Sequence, residues 1–204
     1  MKMVKQDNYE LSLQAAMKQF CSYDMSTLSR KAGIIDRGEC FETRFFGLET
    51  IICKKTGAVT VDGQPADFCE ALSVFDWLCD GKPDAKASGE FCPVSSLPGV
   101  LVRGSGLVMK SQELADIIDV KPDRFKEMIQ VMGGKIISSG DIGAQIDIFP
   151  GISMQLKFYH SDEEFSADIT FLWDKNILQF VRYETVYYFS GTLKKHLLRK
   201  MEAS

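Results

Sequence analysis

Chemistry-bearing side chains crowd one short stretch of this chain: His160, then Asp162, Glu163 and Glu164. Hard carboxylate oxygens with one imidazole suit a divalent cation. Two carboxylates beside a histidine also suit general acid–base work. The same residues serve equally as the solvated tip of a hairpin, where polar and charged residues are ordinary. Residue types alone leave both readings open.

The rest of the chain offers weaker candidates. Arg103-Gly104-Ser105-Gly106 precedes a helical pattern, and backbone N–H groups at a helix start bind anions. The stretch lacks the glycine spacing of the dinucleotide fingerprint and of the P-loop, so a plain turn explains it. There is no Gly-x-Ser-x-Gly elbow, and two histidines leave little material for a Ser–His–Asp or Cys–His enzyme. The six cysteines, Cys21, Cys40, Cys53, Cys69, Cys79 and Cys92, include no Cys-x-x-Cys pair. They read as reduced, small hydrophobes.

The acidic stretch needs strands to position it. Met154, Leu156, Phe158 and His160 alternate with polar residues, and Phe165, Ala167, Ile169, Phe171 and Trp173 resume the alternation. Period two marks half-buried strands. A four-residue loop, 161–164, pairs Phe158 with Ala167, Leu156 with Ile169, and Met154 with Phe171, and sets Lys157 opposite Asp168. Upstream, Ile148 against Ile152 and Ile146 against Met154 extend this to a meander over 144–173. Further strands are expected over 41–46, 48–54 and 58–61, with Thr56-Gly57 as a turn.

Helices should cover the sheet. Tyr9, Leu13, Ala16, Met17 and Phe20 recur at helical spacing, and Asp24 suits the cap of a short second helix. Others are expected over 66–79, 111–119 and 122–132, the last ended by Gly133-Gly134. A final helix over 175–201, capped by Asp174, would end in Lys194, Lys195, His196, Arg199 and Lys200, which the helix dipole favours. Residues 80–99 form a long irregular stretch, a length that is often functional. The fold expected is α+β: an antiparallel sheet with helices packed on one face. The 204 residues make a single domain or two lobes, about 1–105 and 106–204.

With 45% hydrophobic and 25% charged residues, the composition is that of a globular protein. A net charge of −4 gives no global attraction to nucleic acid or anionic membrane. No run has the length of a membrane span, and the amino terminus has no signal-peptide pattern, so the cytoplasm is the expected location.

The phrases EALSVFDWLCDGKP, GEFCPVSSLPG, FPGISMQLKFYHSDEEFSADITFLWD and YETVYY, with Gly133-Gly134, resemble a domain-of-unknown-function family of anaerobic bacteria and archaea. Some relatives resemble fusions to an iron–sulfur-cluster domain. The chain departs from the family pattern at Ser153 and Ser166, where proline is usual, and at Phe158-Tyr159, where tryptophan is usual. The resemblance implies a binding or accessory module near redox or cofactor metabolism, and no particular cofactor. The alternatives are a metal-dependent enzyme using His160, Asp162, Glu163 and Glu164, and a structural protein that oligomerises through its final helix. That helix carries Tyr183, Tyr187, Tyr188 and Phe189, which leaves a protein partner or a homo-oligomer open.

Overall fold

A computed structural model describes residues 2–100 and 109–202, with side chains from residue 9 onward. The boundary expected between two lobes, and the Arg103–Gly106 turn, lie outside the described residues. In chain order, α1 (Lys2–Ser22) and α2 (Met25–Leu28) lead into β1 (Ile35–Asp36), β2 (Cys40–Phe45), β3 (Leu48–Cys53), β4 (Val59–Val61) and β5 (Gln64–Pro65). Then come α3 (Phe68–Phe75), a π-helical turn over Asp76–Asp80, and β6 (Phe91–Cys92). The remainder is α4 (Gln112–Val120), α5 (Pro122–Val131), β7 (Lys135–Ile137), β8 (Ile142–Phe149), β9 (Ile152–Tyr159), β10 (Asp168–Asp174) and α6 (Tyr183–Glu202).

The strands form two antiparallel sheets, ordered β1-β2-β3-β4-β5 and β6-β10-β9-β8-β7, so the fold is α+β. Each sheet buries one face. Phe41, Phe45, Leu48 and Ile52 point inward from the first, and Met154, Leu156, Phe158, Ile169, Phe171 and Trp173 from the second. The sheets meet where Phe46 donates its N–H to the Ile148 carbonyl at 2.9 Å. Phe46 and Gly47 both have positive φ there. A side chain at Gly47 would run into the Met132 carbonyl, so glycine is required. Phe46 tolerates the conformation because its ring is wholly buried.

A column of rings ties the layers together. Phe149 stacks on Phe45 at 4.6 Å and on Trp77 at 4.3 Å, and Phe189 of α6 sets its edge on Phe45 at 5.9 Å. Such pairs each contribute about 0.5–1.5 kcal/mol beyond area burial. They join β2, β8, α6 and the π-helical turn at one point.

Four expectations are corrected. The β9–β10 register lies two residues away from the expected one: Phe158 meets Ile169, Leu156 meets Phe171, and Lys157 meets Thr170 rather than Asp168. The same faces stay buried, because a two-residue slip preserves side-chain alternation. At the β8–β9 turn Ile146 meets Met154 as expected, but Phe149 takes the place of Ile148 opposite Ile152 through a bulge. The bulge buries both Ile148 and Phe149. The irregular stretch contributes β6, which pairs with the end of β10.

The fourth concerns Asp174 and the last helix, which begins at Tyr183 rather than 175. Asp174 is buried and accepts from Ser88 N–H, Ser88 Oγ, Gly89 N–H and Asn176 N–H at 2.8–3.0 Å. It pins the 81–90 loop instead of capping α6. The basic end of that helix is likewise held by carboxylates rather than by the dipole alone: Lys194 by Glu113, Lys195 by Asp67 and Glu70, and Arg199 and Lys200 by Asp62.

Candidate functional site

The tip of the β9–β10 hairpin leans on the last turn of α4. Ser111 caps α4 by accepting from Leu114 N–H, and Leu114, Ala115 and Ile118 bury its inner face. This sets Asp119 outward at the carboxyl end, where the helix dipole disfavours a carboxylate. Two donors from the tip compensate. His160 Nδ1 lies 2.6 Å from Asp119 Oδ1, and Ser161 Oγ donates to Oδ2 at 2.6 Å. Hydrogen bonds from Ser161 and His160 hold the Asp119 carboxyl below its ordinary range. An ionised carboxylate only accepts, so His160 Nδ1–H is the donor and Nε2 is left to act.

The backbone fixes the ring's position. His160 N–H donates to Asp141 Oδ2 at 2.9 Å, and Asp141 N–H donates to the Phe158 carbonyl at 2.9 Å. Gly140, at φ +65°, runs so close to Phe158 that a Cβ would come within 2.5 Å of its carbonyl. The imidazole also sets its edge toward the Phe158 ring at 5.0 Å.

Beyond His160 the chain closes on itself. Asp162 Oδ1 accepts from Glu164 N–H and Phe165 N–H at 2.8 and 2.7 Å, while Asp162 N–H donates to the Phe165 carbonyl. This small turn lengthens the loop past four residues and causes the register difference. It leaves Phe165 69% exposed. Glu163 and Glu164 are exposed, and their carboxylates take no hydrogen bond among the described residues.

The result is an open cleft of about 510 Å³ that takes in His160, Asp162, Asp141, Asp168, Tyr159 and Phe165, with Lys110 and Gln112 on the α4 side. Asp168 pairs with Lys110 at 2.8 Å, and Gln112 Nε2 donates to the Ala167 carbonyl at 3.1 Å. Of the four residues singled out in the sequence, His160 and Asp162 line this cleft and Glu163 and Glu164 do not. Among the described residues, no three His, Cys, Asp or Glu side chains come together as a metal ion would need.

Sequence reasoning missed Asp119, which lies 41 residues from its partner. One signal was readable: a carboxylate in the last turn of a predicted helix sits against the dipole and calls for a donor. The other histidine, His196, is buried against Glu70 between α3 and α6. All six cysteines are free, and Cys40 and Cys53 lie directly opposite each other on β2 and β3.

The molecule is thus an α+β protein of two antiparallel sheets whose β9–β10 hairpin carries a polar cleft at its tip. Residues 24–196 match the family described as "Domain of unknown function (DUF3786)", and the chain belongs to that family. Neither the curated proteins nor the solved structures give a match. No helix among the described residues is long and apolar enough to cross a membrane.

Proposed function

We propose that this chain is a non-catalytic binding module whose hairpin-tip cleft seats a small organic cation. The observation that carries this reading is the lining. Three carboxylates, Asp141, Asp162 and Asp168, stand with Lys110 among the described lining residues, beside the exposed ring of Phe165 and a Tyr159 ring that already carries the Lys157 ammonium at 5.0 Å. Carboxylates and aromatic faces together attract a desolvated cation. An accessory role in redox or cofactor metabolism rests on the family resemblance alone.

The test is titration of the full chain with choline and with putrescine, followed by backbone amide NMR. Binding should move the signals of His160 and Phe165 and weaken in Phe165→Ala and Asp168→Asn. If neither probe binds, or binding is unchanged in both variants, the cation reading fails. Native mass spectrometry on protein prepared without oxygen or chelators adds a second arm. A stoichiometric divalent metal would move the seat to His160 and the acidic loop residues Asp162, Glu163 and Glu164.

The Asp119–His160 pair supports a second reading. A histidine oriented by a carboxylate, with no partner on Nε2 among the described residues, is the arrangement of a general base. Turnover of a defined substrate that disappears in His160→Gln would establish that reading and overturn the non-catalytic one.

A further inference from the structure

A second cavity, also about 510 Å³, opens on the far side of the π-helical turn. Its walls are mainly apolar: Tyr23, Leu28, Trp77, Pro83, Pro150 and Phe180. Three charged residues line it, Arg30, Lys31 and Lys82, and all are cations. None of the three forms a salt bridge among the described residues. The nearby carboxylate Asp80 is paired instead with Arg182 at 2.7 Å. Cys79 adds no negative charge, because burial pushes its thiol up to about 12.

The cavity is held open by fixed parts. Lys31 Nζ donates to the Trp77 carbonyl of the π-helical turn and lies 5.1 Å from the Trp77 ring centroid. That leaves donors on the ammonium unused among the described residues. Burial makes the Lys31 charge costly, drawing its pKa down from the ordinary lysine value. The 81–90 loop that forms one wall is anchored at both ends, by Lys82 N–H on the Gln179 carbonyl and by Ser88 and Gly89 on Asp174. Helical π-turns recur at binding sites because the extra residue re-aims side chains and carbonyls. An apolar pocket with a few convergent polar groups is the usual form of a small-molecule site.

We propose that this cavity binds an apolar carboxylic acid, its hydrocarbon body against Tyr23, Pro83 and Pro150, which give the cavity its open apolar surface over the buried Trp77, and its carboxylate on Lys31. Arg30 and Lys82 supply the positive rim. The site is separate from the hairpin-tip cleft, and its occupancy does not depend on what that cleft takes.

Decanoate is the probe and decanol its neutral match, titrated into the full chain and read from the two tryptophan indole N–H signals. Saturable decanoate binding should move the Trp77 signal and leave Trp173 in place. Decanol should bind roughly tenfold more weakly, the worth of one charge-assisted hydrogen bond. Lys31→Met should weaken decanoate by a similar factor and erase the preference. Because Lys31 also caps a carbonyl, Lys82→Glu serves as the variant that leaves the fold untouched, and it should weaken decanoate several-fold. The proposal is overturned if decanoate shows no saturable binding, if decanol binds as well, if Trp173 responds instead of Trp77, or if Lys82→Glu is without effect.

Discussion

Two regions of this molecule use the same side-chain chemistry to different ends. Between α3 and α6, Glu70 accepts from His196 Nε2 at 2.7 Å, from Lys195 Nζ at 2.6 Å and from Asp67 N–H at 2.8 Å. At the hairpin tip, Asp119 accepts from His160 Nδ1 and Ser161. Glu70 and His196 are each only 2% exposed, whereas the His160 side chain is 42% exposed. Burial separates the two roles. In the seam, Glu70 closes the capping box of α3 with Asp67 and also fastens α6, so its oxygens are spent on the fold. Each pair leaves one imidazole nitrogen without a partner among the described residues, but His196 Nδ1 is buried whereas the His160 ring is open to another molecule. A carboxylate–histidine pair is therefore read by what its remaining lone pairs face, not by its presence.

The sharpest way to break this contrast is Asp76, the second carboxylate of the seam. It is 2% exposed and accepts from Arg182 N–H, Arg182 Nε and Thr185 Oγ1, tying the π-helical turn to the start of α6. Burial pulls its carboxyl upward, but hydrogen bonds from Thr185 and Arg182 outweigh that and hold it low. Asp76→Ala strands the buried Thr185 hydroxyl and removes two bonds from Arg182, whose exposed guanidinium keeps Asp80, and should cost about 3 kcal/mol in urea unfolding. Asp119→Ala should leave the urea midpoint almost unmoved. Equal losses would mean the tip is as structural as the seam.

Glu70 sharpens the same contrast through pH. Burial alone would raise its carboxyl, yet hydrogen bonds from His196, Lys195 and Asp67 bring it from the ordinary 4.5 to about 2. A group lowered on folding stabilises above its unfolded value and loses that contribution as pH falls through its folded one. Roughly 3 kcal/mol should disappear as pH drops from about 4.5 to about 2. Glu70→Gln should flatten that part of the stability curve, measured by urea unfolding across the range. A variant with an unchanged acid slope would refute the assignment.

How much of this was legible follows from where each partner lies. The inward faces of β9 and β10 could be read from Leu156, Phe158, Ile169 and Phe171, because alternation is local. The register could not, since pairings two residues apart bury the same set. The choice was made by Asp162 folding back on Glu164 and Phe165. His160, Asp162, Glu163 and Glu164 could be grouped from proximity in sequence, and the first two line one cleft. Asp119, Asp141 and Lys110 arrive from α4 and from loops, through packing that no local pattern records. Lys195 and His196 fitted the dipole of a basic helix end equally well, and only the tertiary structure sets Glu70 beside them. Asp174 had the residue type and position of a helix cap and accepts from the Asn176 N–H, but it also accepts from Ser88 and Gly89 of a distant loop, and the last helix begins only at Tyr183.

The tip should show small stability effects and specific local ones. Asp119→Asn keeps an acceptor for His160 and offers Ser161 a donor in place of an acceptor. The urea midpoint should hold while the His160 ring proton shifts change, and a ring unaffected by the substitution would detach it from Asp119 in solution.

Phe165 is the smallest case and the most diagnostic. Its ring is 69% exposed, and its backbone, not its side chain, closes the Asp162 turn. Phe165→Ala should therefore leave stability within about 0.5 kcal/mol of the parent. An exposed ring beside three carboxylates brings the fold little, so its expected effect is on ligand. Loss of one cation–π contact should weaken choline roughly threefold to tenfold. If stability falls by several kcal/mol instead, Phe165 is packed in solution, the cleft is closed, and the tip joins the seam as scaffold.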